Sequence, residues 1–182
     1  LLLLTITLPG IAQLKPIESG VIHWDSLPAK KDTLRESRKI ANYTTNEFEY
    51  FKIHATTQLK GAIPKPAHTQ KDIEELIIIK EGKMKCRIGN KTSVLGTGSV
   101  LLIPPGDEQV LENAGDGPLT YYVFQLRSAK MDMKRSDSAG GALLLDADSL
   151  PVTKTAIKGG KKYFDRPTAM CRNFEMHITS LF

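Results

Sequence analysis

Four side chains in the middle of the chain have the types and spacing of a chemical site: His68, Gln70, Glu75 and Gln109. Residues two apart on an extended strand share a face, so positions 68 and 70 aim the same way, and hairpin connections return positions 75 and 109 opposite them. The set offers one imidazole, one carboxylate and two amides. An imidazole and a carboxylate are groups that can bind a divalent metal. A glutamine amide is a neutral, weak oxygen donor and a poor substitute for imidazole. The other reading is therefore a hydrogen-bonded polar cluster lining a metal-free ligand pocket. Asp72 and Glu74 add carboxylates beside a predicted turn, where they are expected to be exposed. No Ser-His-Asp order, Gly-rich phosphate loop or zinc-type Cys/His spacing is present, so catalysis by a side-chain nucleophile is not expected.

The elements that must position these groups read as strands. Runs rich in Val, Ile, Leu, Tyr and Phe cover 48–59, 76–80, 83–88, 99–103, 109–111 and 119–126. Gly, Pro, Asn and Asp separate them, as in Glu81-Gly82, Gly89-Asn90 and Pro104-Pro105-Gly106-Asp107. Over 83–88 the alternation is clean, with Met84, Cys86 and Ile88 on one face and Lys83, Lys85 and Arg87 on the other. On 119–126, Tyr122 and Phe124 share one face and Tyr121 takes the other, and either face can be the core. The pattern is all-β and antiparallel, and suits a sandwich or barrel.

Two stretches, HTQKDIEELIIIKEG and GSVLLIPPGDEQVLEN, carry a resemblance. Six residues separate Gly61 from His68, four separate Gln70 from Glu75, and six separate Glu75 from Gly82. Gly98, Pro104, Gly106, Gln109 and Asn113 then follow at a second fixed spacing. The stretch 61–113 resembles the cupin superfamily in both of its motifs. The resemblance implies a double-stranded β-helix, or jelly-roll barrel, with four inward side chains on its floor. The family commonly supplies three His and one Glu to Mn, Fe, Ni, Cu or Zn. Here Gln70 and Gln109 stand where the second and third His belong, so the resemblance implies a degenerate metal site with His68 and Glu75 as its remaining metal ligands.

The chain also resembles itself. Asp25-Ser26-Leu27-Pro28 returns as Asp148-Ser149-Leu150-Pro151, and Lys31, Phe51, His54 and Thr56 return as Lys154, Phe174, His177 and Thr179, each 123 residues on (148 − 25). Expected boundaries are a first module over 14–129, a Lys-, Asp-, Ser- and Gly-rich linker over 130–141, and the start of a second, truncated module over 142–182. At that offset the counterparts of His68, Gln70 and Glu75 fall beyond Phe182, so any Mn, Fe, Ni or Zn is expected in the second module rather than in this one. His54 recurs as His177 and is read as framework.

Residues 1–13, LLLLTITLPGIAQ, have the apolar run and small-residue flank of a secretory signal without its basic start. They are too short for a stable membrane span, and a secreted or periplasmic location is expected. Lys and Arg number 25 against 20 Asp and Glu, but the basic residues are interspersed with acidic ones and only 7% of residues are aromatic, so no nucleic-acid partner is expected. Cys86 reads as core, although export would allow it to pair with Cys171. Three functions stay open. The first is the non-catalytic half of an exported, metal-dependent bicupin acting on a small polar metabolite or sugar derivative, in the manner of ureidoglycine aminohydrolases or otherwise. The second is a non-enzymatic small-ligand or carbohydrate-binding cupin. The third is a structural module supporting a homodimer.

Overall fold

The computed structural model describes residues 14–182, so the expected leader over 1–13 lies outside the described residues. A meander of β1 (Ala29–Lys31), β2 (Arg35–Tyr43) and β3 (Tyr50–Gln58) opens the fold. The body follows as β4 (His68–Thr69), β5 (Glu74–Glu81), β6 (Met84–Ile88), β7 (Lys91–Leu95), β8 (Val100–Ile103), β9 (Glu108–Asn113) and β10 (Leu119–Arg127). All six strands expected from composition are present. β2 and β7 carry too many polar residues to be singled out from composition.

β1 to β3, β10, β5 and β8 form one sheet in the order β1-β2-β3-β10-β5-β8, extended at its far edge by β11 (Leu143–Leu145). A second sheet runs β4-β9-β6-β7. The two close on a core of Ile77, Ile79, Leu101, Ile103 and Val123 from the first and Met84, Cys86, Ile88 and Leu95 from the second. Cys86 is 1% exposed, and both it and Cys171 are free thiols. Tyr121 belongs to this interior, while Tyr122 and Phe124 take the outer face. Gly82 makes the β5–β6 turn possible: its φ is +86°, and a Cβ there would run into the Pro118 carbonyl.

The larger sheet is buried on both sides, which explains the unbroken apolar run Leu76-Ile77-Ile78-Ile79. Its outer face, with Leu76, Val100 and Leu102, packs against Tyr163 and Phe164. These last two come from β13 (Lys158–Arg166), which pairs on either side with β12 (Thr153–Lys154) and β14 (Phe174–Leu181). The expected linker contains α1 (Met133–Ser138), started by the Asp132 carboxylate accepting from Arg135 N at 3.1 Å.

This last sheet repeats the opening meander in detail. β2 begins at Arg35 and β13 at Lys158, and the 3-10 turns before them begin at Trp24 and Ala147, each pair 123 residues apart (158 − 35, 147 − 24). Lys39 faces His54 as Lys162 faces His177, and the pairing slips between Lys39 and Ala41 as it does between Lys162 and Phe164. A shared bulge at one register position is a structural repeat, not a repeat of composition alone.

Glu74 departs from expectation: it is 0% exposed. The loop before β14 folds over it, so that Oε1 accepts from Thr168 Oγ1 at 2.8 Å and Oε2 from Ala169 N at 2.9 Å. Burial pushes its pKa up, and these hydrogen bonds oppose the rise. Asp72, by contrast, is exposed as expected and pairs with Arg127 at 3.1 Å. The Arg135 guanidinium holds the same loop through the Thr168 and Ala169 carbonyls, each at 2.7 Å. Glu74→Ala strands two buried donors and is expected to cost about 1–3 kcal/mol of stability, measured by urea denaturation.

Candidate functional site

The inner end of the barrel is polar because register puts polar residues on an otherwise apolar face. On β10 the inward positions are Tyr121, Val123 and Gln125, and these pair with Ile79, Ile77 and Glu75 of β5. Glu75 is 5% exposed, Gln109 1% and Gln125 8%. A carboxylate so placed needs hydrogen-bond donors. Gln125 Nε2 donates to Glu75 Oε1 at 2.6 Å, and Gln109 Nε2 donates to Glu75 Oε2. Tyr50, on the adjoining strand, donates its hydroxyl to Gln125 Oε1 at 3.4 Å. The chain of groups Tyr50, Gln125, Glu75 and Gln109 thereby fixes which amide end each glutamine presents.

The structure thus joins Glu75 directly to Gln109. His68 pairs with Gln109 across β4 and β9, so both stand on the barrel side of that sheet. Its ring is exposed, and Nδ1 lies 3.2 Å from the Pro66 carbonyl oxygen. Gln70 is half-buried just after β4, and its carbonyl accepts from Gly106 N at 2.7 Å, tying the two motif loops together. No hydrogen bond joins the side chain of His68 or Gln70 to Glu75 among the described residues. No group of three His, Cys, Asp or Glu side chains that could hold a metal ion is found among the described residues.

Gln125 and Tyr50 were not among the residues singled out from sequence, and His54 was read as framework. Gln125 leaves a signal, since it falls at the same parity as Tyr121 and Val123 and is polar where the strand is buried. His54 faces inward beside Val123 on the β3–β10 register. Its Nδ1 is buried without a protein partner among the described residues. Burial, reinforced by the charges of Lys52 and Lys65, lowers its pKa to about 4. A groove of about 830 Å³ lies on the opposite, outer face of the sheet against Phe51, Leu76, Phe124 and Phe174, and none of the polar cluster lines it.

Residues 56–124 match the Cupin_2 family, a cupin domain. The chain carries a cupin domain. Solved structures share the fold at low identity. KdgF from Halomonas sp. is 10% identical with a TM-score of 0.51, over 62% of this chain and 97% of that one. Protein Ylba from E. coli is 14% identical with a TM-score of 0.60, over 79% of this chain and 55% of that one. GK1651 from Geobacillus kaustophilus is 13% identical with a TM-score of 0.57, over 80% and 59%. The chain therefore spans little more than half the length of these last two. Comparison with curated proteins gives no match.

Within this cupin domain the hydrogen-bond directions are tightly constrained. Glu75→Gln replaces one acceptor with a donor that must face the Gln109 or Gln125 amide. It is expected to destabilise the domain by about 1–3 kcal/mol in chemical denaturation. The His54 imidazole is expected to titrate near 4 by NMR. A base whose pKa is depressed in the fold stabilises it fully above the unfolded value of 6.5, so stability should fall as pH drops from 6.5 towards 4. In His54→Phe that part of the pH dependence should vanish.

Proposed function

We propose that this cupin domain recognises a small polar molecule without a divalent metal, as the non-catalytic half of an exported two-module cupin. The observation that carries the reading is the engagement of Glu75, whose two carboxylate oxygens each accept an amide N–H. Each oxygen keeps a second lone pair, but the two amides orient the carboxylate and share its charge. The remaining nitrogen ligand, His68, is exposed and turned to the Pro66 carbonyl. One imidazole and neutral amides form a donor set that does not fit Mn, Fe, Ni or Zn.

The same groups suit hydrogen-bonding recognition. The exposed His68 imidazole, the half-buried Tyr50 phenol and the buried Gln109 and Gln125 amides together hold both donors and acceptors for hydroxyl or amide groups. The two-module part of the proposal is supported by the recurring meander with its recurring bulge, and by the partial coverage of the longer Ylba and GK1651. The signal-like composition of residues 1–13 supports export.

Equilibrium dialysis against Mn²⁺ and Zn²⁺ is expected to show no stoichiometric uptake by this domain. The pair Gln70→His and Gln109→His is expected to gain affinity, because it adds imidazoles and frees one Glu75 oxygen. One equivalent of tightly bound metal in the unaltered domain would overturn the proposal. In ¹⁵N NMR, sorbitol at millimolar concentration is expected to move the side-chain amide signals of Gln109 and Gln125.

A further inference from the structure

The outer face of the larger sheet carries the groove of about 830 Å³ that the polar cluster does not reach. Phe51 of β3, Phe124 and Leu126 of β10 and Leu76 of β5 line it from the sheet. Register sets them on one face, because Leu126 pairs with Phe51 and Phe124 with Leu76. Met170 and Phe174 line it from the loop before β14 and the start of that strand. Phe48 also lines it and stacks on Phe51, with 6.3 Å between ring centroids. Phe51 and Phe174 are counterparts in the repeat, 123 residues apart (174 − 51). The groove therefore runs along the junction of the barrel and the recurring meander, the kind of place where small-molecule sites concentrate.

The surface of the groove selects its occupant. Phe51, Phe124, Leu126 and Leu76 each have a paired residue on both neighbouring strands, so the sheet has no free backbone edge for a peptide there. It offers apolar side chains instead. The exposed lining residues are all polar: Glu47, Lys130, Arg172 and Asn173. With half-buried Arg135, the lining holds three cations against one acid. Lys130 and Glu47 lie 3.5 Å apart and both are mostly exposed, so each screens the other only in part. Arg135 is held by the Thr168 and Ala169 carbonyls, which leave its charge uncompensated. Arg172 makes no salt bridge or side-chain hydrogen bond among the described residues. An apolar lining with a net positive rim complements an anion that has a hydrocarbon body.

We propose that this groove binds a small amphipathic anion, a carboxylate with an aliphatic tail, whose tail lies on Phe51, Phe124, Leu126 and Met170 and whose carboxylate meets Arg172. The inference does not rest on the ligand-pocket reading above, since the groove and the polar cluster share no residue. Arg172 is the anchor because Lys130 is shared with Glu47 and Arg135 is engaged by backbone carbonyls. A free guanidinium takes a carboxylate through two parallel N–H donors. Each methylene of the tail that leaves water adds to the affinity.

Octanoate and octanol test this directly, because they share one hydrocarbon chain and differ in a carboxylate against a hydroxyl. Each is titrated into the protein while the ¹³C-methyl signal of Met170 is followed. In parallel, iodoacetamide measures the alkylation rate of Cys171, which is half-buried in the groove lining. Cys86, 1% exposed, is the internal control for unfolding. Octanoate is expected to bind about tenfold tighter than octanol, the scale of one partly screened ion pair, with the preference shrinking as salt is raised. It should shift the Met170 signal and slow the alkylation of Cys171. Arg172→Gln should remove most of the preference and leave octanol binding unchanged, while Arg172→Lys should retain most of it. Equal binding of the two probes, a preference that survives in Arg172→Gln, or octanoate that neither moves Met170 nor protects Cys171 would overturn the proposal. Faster alkylation of Cys86 would mean loss of the fold instead of binding, and would overturn it equally. The Gln109 and Gln125 amide signals should stay in place throughout, so failure here leaves the polar-cluster reading to its own test.

Discussion

A carboxylate buried beside an apolar core must be satisfied where it stands, and the inner end of this barrel is organised around that requirement. Glu75 sits at the end of a strand whose other inward residues, Ile77 and Ile79, are core. Water cannot solvate it at 5% exposure. The donors arrive from the strand alongside and from across the barrel: Gln125 from the first sheet and Gln109 from the second. That cross-barrel amide ties the two sheets at the polar end, as side-chain packing ties them along the rest of their length. In a cupin with three histidines the analogous carboxylate would share a metal with them. Here two amide N–H groups hydrogen-bond to it.

Glu74 solves the same problem on the other face of the same strand. Its neighbour aims into the barrel, and it aims outward, beneath the loop that precedes β14. The two consecutive acids therefore do separate jobs. Glu75 anchors the polar cluster, and Glu74 fastens the C-terminal meander to the barrel. Between them β5 carries apolar residues on both faces, because one side meets the barrel core and the other meets Tyr163, Phe164 and their neighbours. The polar cluster and the packing against Tyr163 and Phe164 are thus on two sides of one sheet.

Much of the fold was legible from the chain alone. Turn residues marked the hairpins, alternation marked the faces of β6, and the cupin spacing placed Gly82, Gly98 and Gly106 where the backbone has positive φ. The repeat was legible too, although the identity of a few residues concealed how completely the pairing register is reproduced. Glu74 was misread because its burial depends on residues some ninety-four positions away, which no local pattern near the turn reports. β2 was missed because an outer strand with mixed polarity has no strong period. Gln125 and Tyr50 escaped notice because the two motifs span 61–113, while the cluster draws on β10 after them and β3 before them.

What the chain's order of residues determined was local and periodic: short strands, tight turns, two motifs at family spacing, and a polar residue set with too few imidazoles for an ordinary metal centre. Only the tertiary structure decided which of those polar groups meet. His68 and Glu75 were the natural pair by chemical type, yet Glu75 is hydrogen-bonded by Gln109 and Gln125 and His68 stands at the mouth. The physical reason is that hydrogen bonds have direction and strands have register. Residue spacing states which face a side chain takes, but the partner it finds there depends on how distant strands align once the sheets have closed.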